Sequence, residues 1–208
     1  MAGGGSLFVL PFLIDGLGVH HLVANCTNRV AILAQCSTAS YEFRRRGVEW
    51  PKPTIQWIIL SMGGAIIGAV LTLYIDKSSF MRLLGIVMIL AAGVTVFPMD
   101  KTMSMVKNQQ YMLPICMFCI GIYGGLIQAG TGLLMLTIYQ SLYSRDLVQA
   151  NAVKVLLVSA YTCIVLVIFI YKGLVDWQLA GILIIGNVMG SFVAVSYTHL
   201  TLPTSRSV

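Results

Sequence analysis

The chain is 208 residues long, 58% hydrophobic and only 10% charged, with a formal net charge of +6 at pH 7. Soluble domains carry roughly 25% charged residues, so this composition excludes a soluble globular enzyme, a disordered chain and a nucleic-acid binder, whose basic residues would have to cluster on a wet face. A polytopic all-α membrane protein remains, because lipid leaves unpaired backbone groups without partners.

Residues 7–18 are apolar but too short to cross a hydrocarbon core of about 30 Å. Residues 22–43 form a span that carries Asn25, Thr27, Asn28, Arg29 and Gln35. The clearest span is 54–75, and 80–98 supplies another that ends at Pro98. The polar stretch 100–110 is the one substantial loop and divides a first unit, 1–99, from a second, 111–196. Residues 111–143 are apolar for too long, since one straight helix would reach about 50 Å. Gly124, Gly125, Gln128, Gly130 and Gly132 mark the expected break. Spans at 147–171 and 178–196 follow. The tail, 197–208, departs from this pattern, resembles translated adapter sequence and is expected to be non-native. A half-length first segment points the same way, so the chain is expected to be a fragment.

Small residues at Gly64 and Gly68, and at Gly186 and Gly190, form G-x-x-x-G pairs that let helix backbones approach closely. Interfacial anchoring accounts for Trp50, Trp57 and Trp177. Cys26, Cys36, Cys116, Cys119 and Cys163 read as small buried hydrophobes. Cys116 and Cys119 have no second pair with which to hold a metal.

The halves echo one another. Gly5 pairs with Gly132, Ala24 with Ala150, Asn25 with Asn151, Gly47 with Gly173, Trp50 with Trp177 and Gly63 with Gly190, at offsets of 126 or 127. Each half reads as a glycine-broken helix followed by further helices. Counting the broken helix as one crossing puts Arg44, Arg45, Arg46, Lys52, Lys101, Lys107 and Lys172 on one side, and Lys77, Arg82 and Arg145 on the other. The first side is then cytoplasmic. The two equivalent loops would share that face, which makes the repeat parallel; a re-entrant 132–143 would make it inverted.

Glycine breaks let a helix unwind and present N–H groups to an anion. Gly3, Gly4, Gly5 and Ser6 fit that description, as do Gly130, Thr131 and Gly132. Arg29 and Lys154 lie inside apolar helices at nearly matching repeat positions. A cation there is a functional-site expectation, with snorkelling as the alternative. Together with Thr27, Asn28 and Asn151 they suit a small oxyanion, to which arginine offers a planar fork and lysine a point charge. No catalytic or nucleotide-binding motif is present. Neither enzyme chemistry nor a cofactor is expected, and transport would run on an ion gradient or by facilitated diffusion. A non-transporting membrane subunit or scaffold is the alternative, though a scaffold has no need of unwound helices.

The GGGSLFVLP segment, the A-N-C-T-N that follows, the basic loop ending in G-V-E-W, and their second-half echoes resemble the sulfite exporter TauE/SafE family. The resemblance covers about residues 2–195. It implies a multi-pass permease of the bacterial plasma membrane, with about eight helices in two related halves, acting on sulfite, sulfoacetate or other organosulfur or small organic anions. Gly3–Gly5, Gly130–Gly132 and the Thr27-Asn28 pair match the family pattern.

Overall fold

A computed structural model describes residues 5–96 and 109–187, with side chains described over 5–89 and 112–187. Gly3, Gly4, Gly190, most of the 100–110 loop and the 197–208 tail lie outside the described residues. Among the described residues every regular element is helical: α1 (Gly5–Pro11) with a π-helical turn at Phe12–Gly16, α2 (His21–Arg45), α3 (Thr54–Thr72), α4 (Lys77–Val96), α5 (Gln109–Leu126), α6 (Thr131–Leu142) and α7 (Leu147–Tyr171). A further helix, α8, covers Trp177–Asn187. By length and composition α3 and α7 are long and apolar enough to cross a membrane.

Local chemistry sets several boundaries. Asp146 caps α7, its Oδ1 accepting the N–H groups of Val148 at 2.8 Å and Gln149 at 3.4 Å. Asp176 does the same for α8 through Gln178 and Leu179, both at 3.0 Å. Just past the ends of α2 and α7, Gly47 and Gly173 adopt φ of 75° and 67°, the left-handed turn that ends many helices and that glycine takes without strain. Both helices are 25 residues long.

α3 and α5 run parallel in close contact. A Cβ on Gly64 would sit 2.3 Å from the carbonyl oxygen of Phe118, and one on Gly68 only 2.0 Å from that of Ile122. The reverse holds as well: Gly121 and Gly125 lie against the backbone of Ser61 and Ala65. Two G-x-x-x-G ridges therefore face each other, one of which the sequence pattern had not marked. Backbones this close gain dispersion contacts that side chains would otherwise hold apart.

α6 turns back along α5. Thr72, at the end of α3, reaches the last carbonyls of α5. Trp57, in the first turn of α3, packs edge-on against Tyr139 and Tyr143 at the end of α6, with centroids 5.9 and 5.1 Å apart. Trp57 is thus buried in an aromatic cluster rather than anchored at an interface. The 111–143 segment is accordingly a helical hairpin and not one broken crossing. Its second arm, 12 residues long, spans about 18 Å, short of the roughly 30 Å hydrocarbon core.

The hairpin overturns the same-face expectation. α2 and α7 are antiparallel: the backbone N–H of Asp176, just past α7, donates to Thr27 Oγ1 near the start of α2 at 3.0 Å. The Arg29 guanidinium also lies 5.3 Å from the Phe169 ring centroid. Arg44–Arg46 and Lys172 therefore sit at opposite ends of the helix pair, and Arg145 joins the arginine end. Trp50 lies in the loop before α3, and Trp177 opens α8. Of the cysteines, Cys26 is buried but Cys119 and Cys163 are exposed on the outer surface.

Candidate functional site

The break between α5 and α6 is built from residues that tolerate unusual backbone. Gln128 has φ of 64° and Gly130 of 76°; the first is rare for a side-chain-bearing residue. Ile127, Gln128, Ala129 and Thr131 are all buried, so polar backbone is exposed here to protein and not to lipid. Partners are accordingly supplied. Gln128 Nε2 donates to Thr162 Oγ1 at 2.7 Å, Thr131 Oγ1 donates to the Gln128 carbonyl at 2.8 Å, and Tyr161 Oη donates to Thr131 Oγ1 at 3.3 Å. Tyr123 Oη donates to the Ala129 carbonyl.

The end of α5 is held from the other side. A helix C-terminus leaves its last four carbonyls without intrahelical donors and concentrates negative partial charge there. Arg29 Nη1 donates to the Gly124 carbonyl at 2.8 Å, and Nη2 to that of Gly125 at 2.7 Å. Asn25 Nδ2 donates to the Leu126 carbonyl at 2.8 Å. Thr72 Oγ1 reaches the same oxygen at 2.9 Å. Asn25 and Arg29 are four residues apart on α2 and so share a face. Arg29 is completely buried, and its Nε has no partner.

The expected site residues separate into groups. Gly130, Thr131 and Gly132 form the start of α6, which no side chain caps. Gly5 and Ser6 open α1. A Cβ on Gly130 would lie 3.6 Å from Leu7 Cδ2, so the Leu7 side chain of α1 reaches the start of α6, while Gly5 itself is exposed. Thr27 is engaged with Asp176, and Asn28 is buried on the same turn of α2. Lys154 Nζ donates to Asn151 Oδ1 at 2.7 Å, close to Cys36. Arg29 and Lys154 are not brought together. Lys154 lies close to Cys36, seven residues from Arg29 along α2, about 10 Å of helix.

Gln128, Thr72, Tyr161 and Thr162 were not among the expected site residues. Gln128 carried a signal, being the one amide within the Gly124–Gly132 break. Thr72 and Thr162 look like any threonine in an apolar run, and only the packing reveals their partners.

The sequence model of the sulfite exporter TauE/SafE family matches residues 1–205. The chain is 25% identical over 195 residues to "Probable membrane transporter protein YfcA" of Escherichia coli strain K12, covering 92% of this chain and 72% of that protein. It is 23% identical over 197 residues to "Probable membrane transporter protein" of Xylella fastidiosa strain 9a5c, covering 91% and 75%. It is also 23% identical over 202 residues to "Probable membrane transporter protein ORF9" of a Sinorhizobium species, covering 95% and 76%. No solved structure matches it significantly.

Proposed function

Since the chain belongs to the sulfite exporter TauE/SafE family, we propose that this membrane transporter moves a small anion across the bacterial plasma membrane. Sulfite, an organosulfonate or a related organic anion is the solute class, driven by an ion gradient or passing by facilitated diffusion. One observation carries the reading: the start of α6, opened by glycine, is buried and uncapped by any side chain, and the Leu7 side chain of α1 reaches it. Helix starts present backbone N–H groups and positive partial charge, which favour an anion without a fixed counter-charge. The proposed contacts are Gly3–Ser6, Thr27, Asn28, Gly130–Gly132, Asn151 and Lys154.

The two halves are proposed to be inverted repeats. Matched helices α2 and α7, each 25 residues and each followed by a left-handed glycine, support that relation because they run in opposite directions. On this reading the end carrying Arg44, Arg45, Arg46, Lys52 and Arg145 is cytoplasmic.

The test is sulfite uptake into proteoliposomes, followed by a panel of organosulfonates and carboxylates, with empty vesicles as control. Saturable uptake that falls at least about tenfold in Gly132→Val is expected, because a branched side chain at that position obstructs close approach to the backbone. Correctly inserted protein that moves no anion of the panel overturns the proposal.

A further inference from the structure

We infer that Arg29 is a positioning residue: with Asn25 and Thr72 it pins the carbonyl end of α5, and so fixes where the α5–α6 break presents its backbone to the solute. The sequence places Arg29 as a charge inside an apolar helix, the usual mark of a solute ligand. The geometry gives the charge a different object. Both terminal nitrogens are bound to successive carbonyls at 2.8 and 2.7 Å, and Asn25 takes the next carbonyl, Leu126, at 2.8 Å; the one Thr72 hydroxyl proton is shared between that oxygen and the Gly68 carbonyl of its own helix, both at 2.9 Å. Three consecutive orphan acceptors are thereby satisfied by two side chains of α2, with Thr72 of α3 beside them. Phe169 closes over the guanidinium at 5.3 Å, a cation–π contact that also excludes water.

The planar fork matters here. Two carbonyls on one helix edge match two parallel N–H vectors, a match that a lysine ammonium cannot reproduce. The space is also committed. Gly125 lies against Ala65 so closely that a Cβ would meet its carbonyl oxygen at 2.1 Å, and a Cβ on Gly124 would meet the Tyr161 ring at 3.0 Å. The end of α5 is thus pressed onto α3 and α7 while α2 holds its carbonyls, and the buried loop 127–130 begins from a fixed point.

Amide hydrogen exchange on the full chain in detergent tests this without any substrate. Arg29→Gln is expected to speed exchange of the Ile127–Leu134 amides about tenfold or more, leaving the middle of α3 unchanged. Arg29→Lys should fall between the two. Asn25→Ala, which removes the amide donor to the Leu126 carbonyl, should raise exchange several-fold in the same segment; it also serves as the second variant should Arg29→Gln not fold. Unchanged exchange at the break in Arg29→Gln, or in Asn25→Ala where that replaces it, overturns the inference. The kinetic arm rests on the transporter reading. There Arg29→Gln is expected to lower the maximal rate more than tenfold with KM within about twofold, partly rescued by Arg29→Lys. A selective rise in KM would assign Arg29 to the solute instead.

Discussion

A single dihedral angle at Gly130 carries much of the break. Its φ of 76° places it in the left-handed region, where a residue with a Cβ loses about 1–2 kcal/mol. The added methyl would also lie 3.2 Å from Val87 Cγ1. Gly130→Ala is therefore expected to destabilise by about 2 kcal/mol, measured as a lower thermal midpoint in detergent. Gly85→Ala, with nothing within 4 Å of its added Cβ, should leave the midpoint unchanged or slightly raised. At this scale the sequence was informative about types and poor about partners. The glycines at 130 and 132 were legible as a helix interruption, because glycine is the residue that unwinds cheaply. Arg29 stood out as a charge inside an apolar helix, with snorkelling as the alternative, and only the packing shows that it is enclosed. Its acceptors were not legible, because backbone carbonyls have no letter in a sequence, and which helix end runs short of donors depends on a fold not yet known.

Among the elements, α3 and α5 make the most exacting fit. Four glycines, Gly64 and Gly68 on one helix and Gly121 and Gly125 on the other, bring the backbones within van der Waals contact. Gly68→Val has no room to relax, since its neighbour is a main-chain carbonyl and not the end of a movable side chain. A loss of about 3 kcal/mol or more is expected, read as aggregation or a broadened peak in size-exclusion chromatography. Gly63→Ala, whose Cβ would first meet Phe118 Cε2 at 4.0 Å, should remain monodisperse. The Gly64/Gly68 pair was visible as a four-residue spacing, whereas Gly121 was hidden by its neighbours. Gly121, Gly124 and Gly125 fall so close together that the segment reads as a break, although the first and last of the three line a packing face and only the residues beyond Leu126 leave the helix.

Over the whole molecule, the direction of α6 decides everything that follows it. An apolar stretch of 33 residues, 111–143, has one length whether it bends within a single crossing or doubles back. Composition therefore could not choose, and the charge count favoured the wrong alternative for Lys172 and Arg145. Contacts chose: Trp57 with Tyr139 and Tyr143 at one end, Thr72 with the end of α5 at the other. Single cysteines at Arg45 and Lys172 are expected to react with an impermeant maleimide from opposite sides of sealed vesicles. Arg145→Cys should label from the same side as Arg45→Cys. Labelling of the Arg45 and Lys172 replacements from one side would restore the parallel arrangement. The membrane-protein class, in contrast, was legible from the first count of charges, because that property depends on composition and not on the path of the chain; the transporter reading came from the glycine breaks and the family resemblance.

The sequence separation between Arg29 and its acceptors bears on how the protein is made. Gly124 and Gly125 follow Arg29 by 95 and 96 residues. At about 5–20 residues per second, the guanidinium leaves the ribosome about 5–20 s before the carbonyls that receive it exist. Holding a bare arginine at the bilayer centre costs about 3 kcal/mol on the insertion scale, and Asn25, Thr27 and Asn28 add to the burden on the same helix. α2 is therefore expected to be poorly retained in lipid until α5 arrives with the carbonyls that receive the guanidinium. A nascent chain stalled before Gly124 is then expected to extract more readily from membranes than one stalled past Leu126, since only the second carries the acceptors of Arg29.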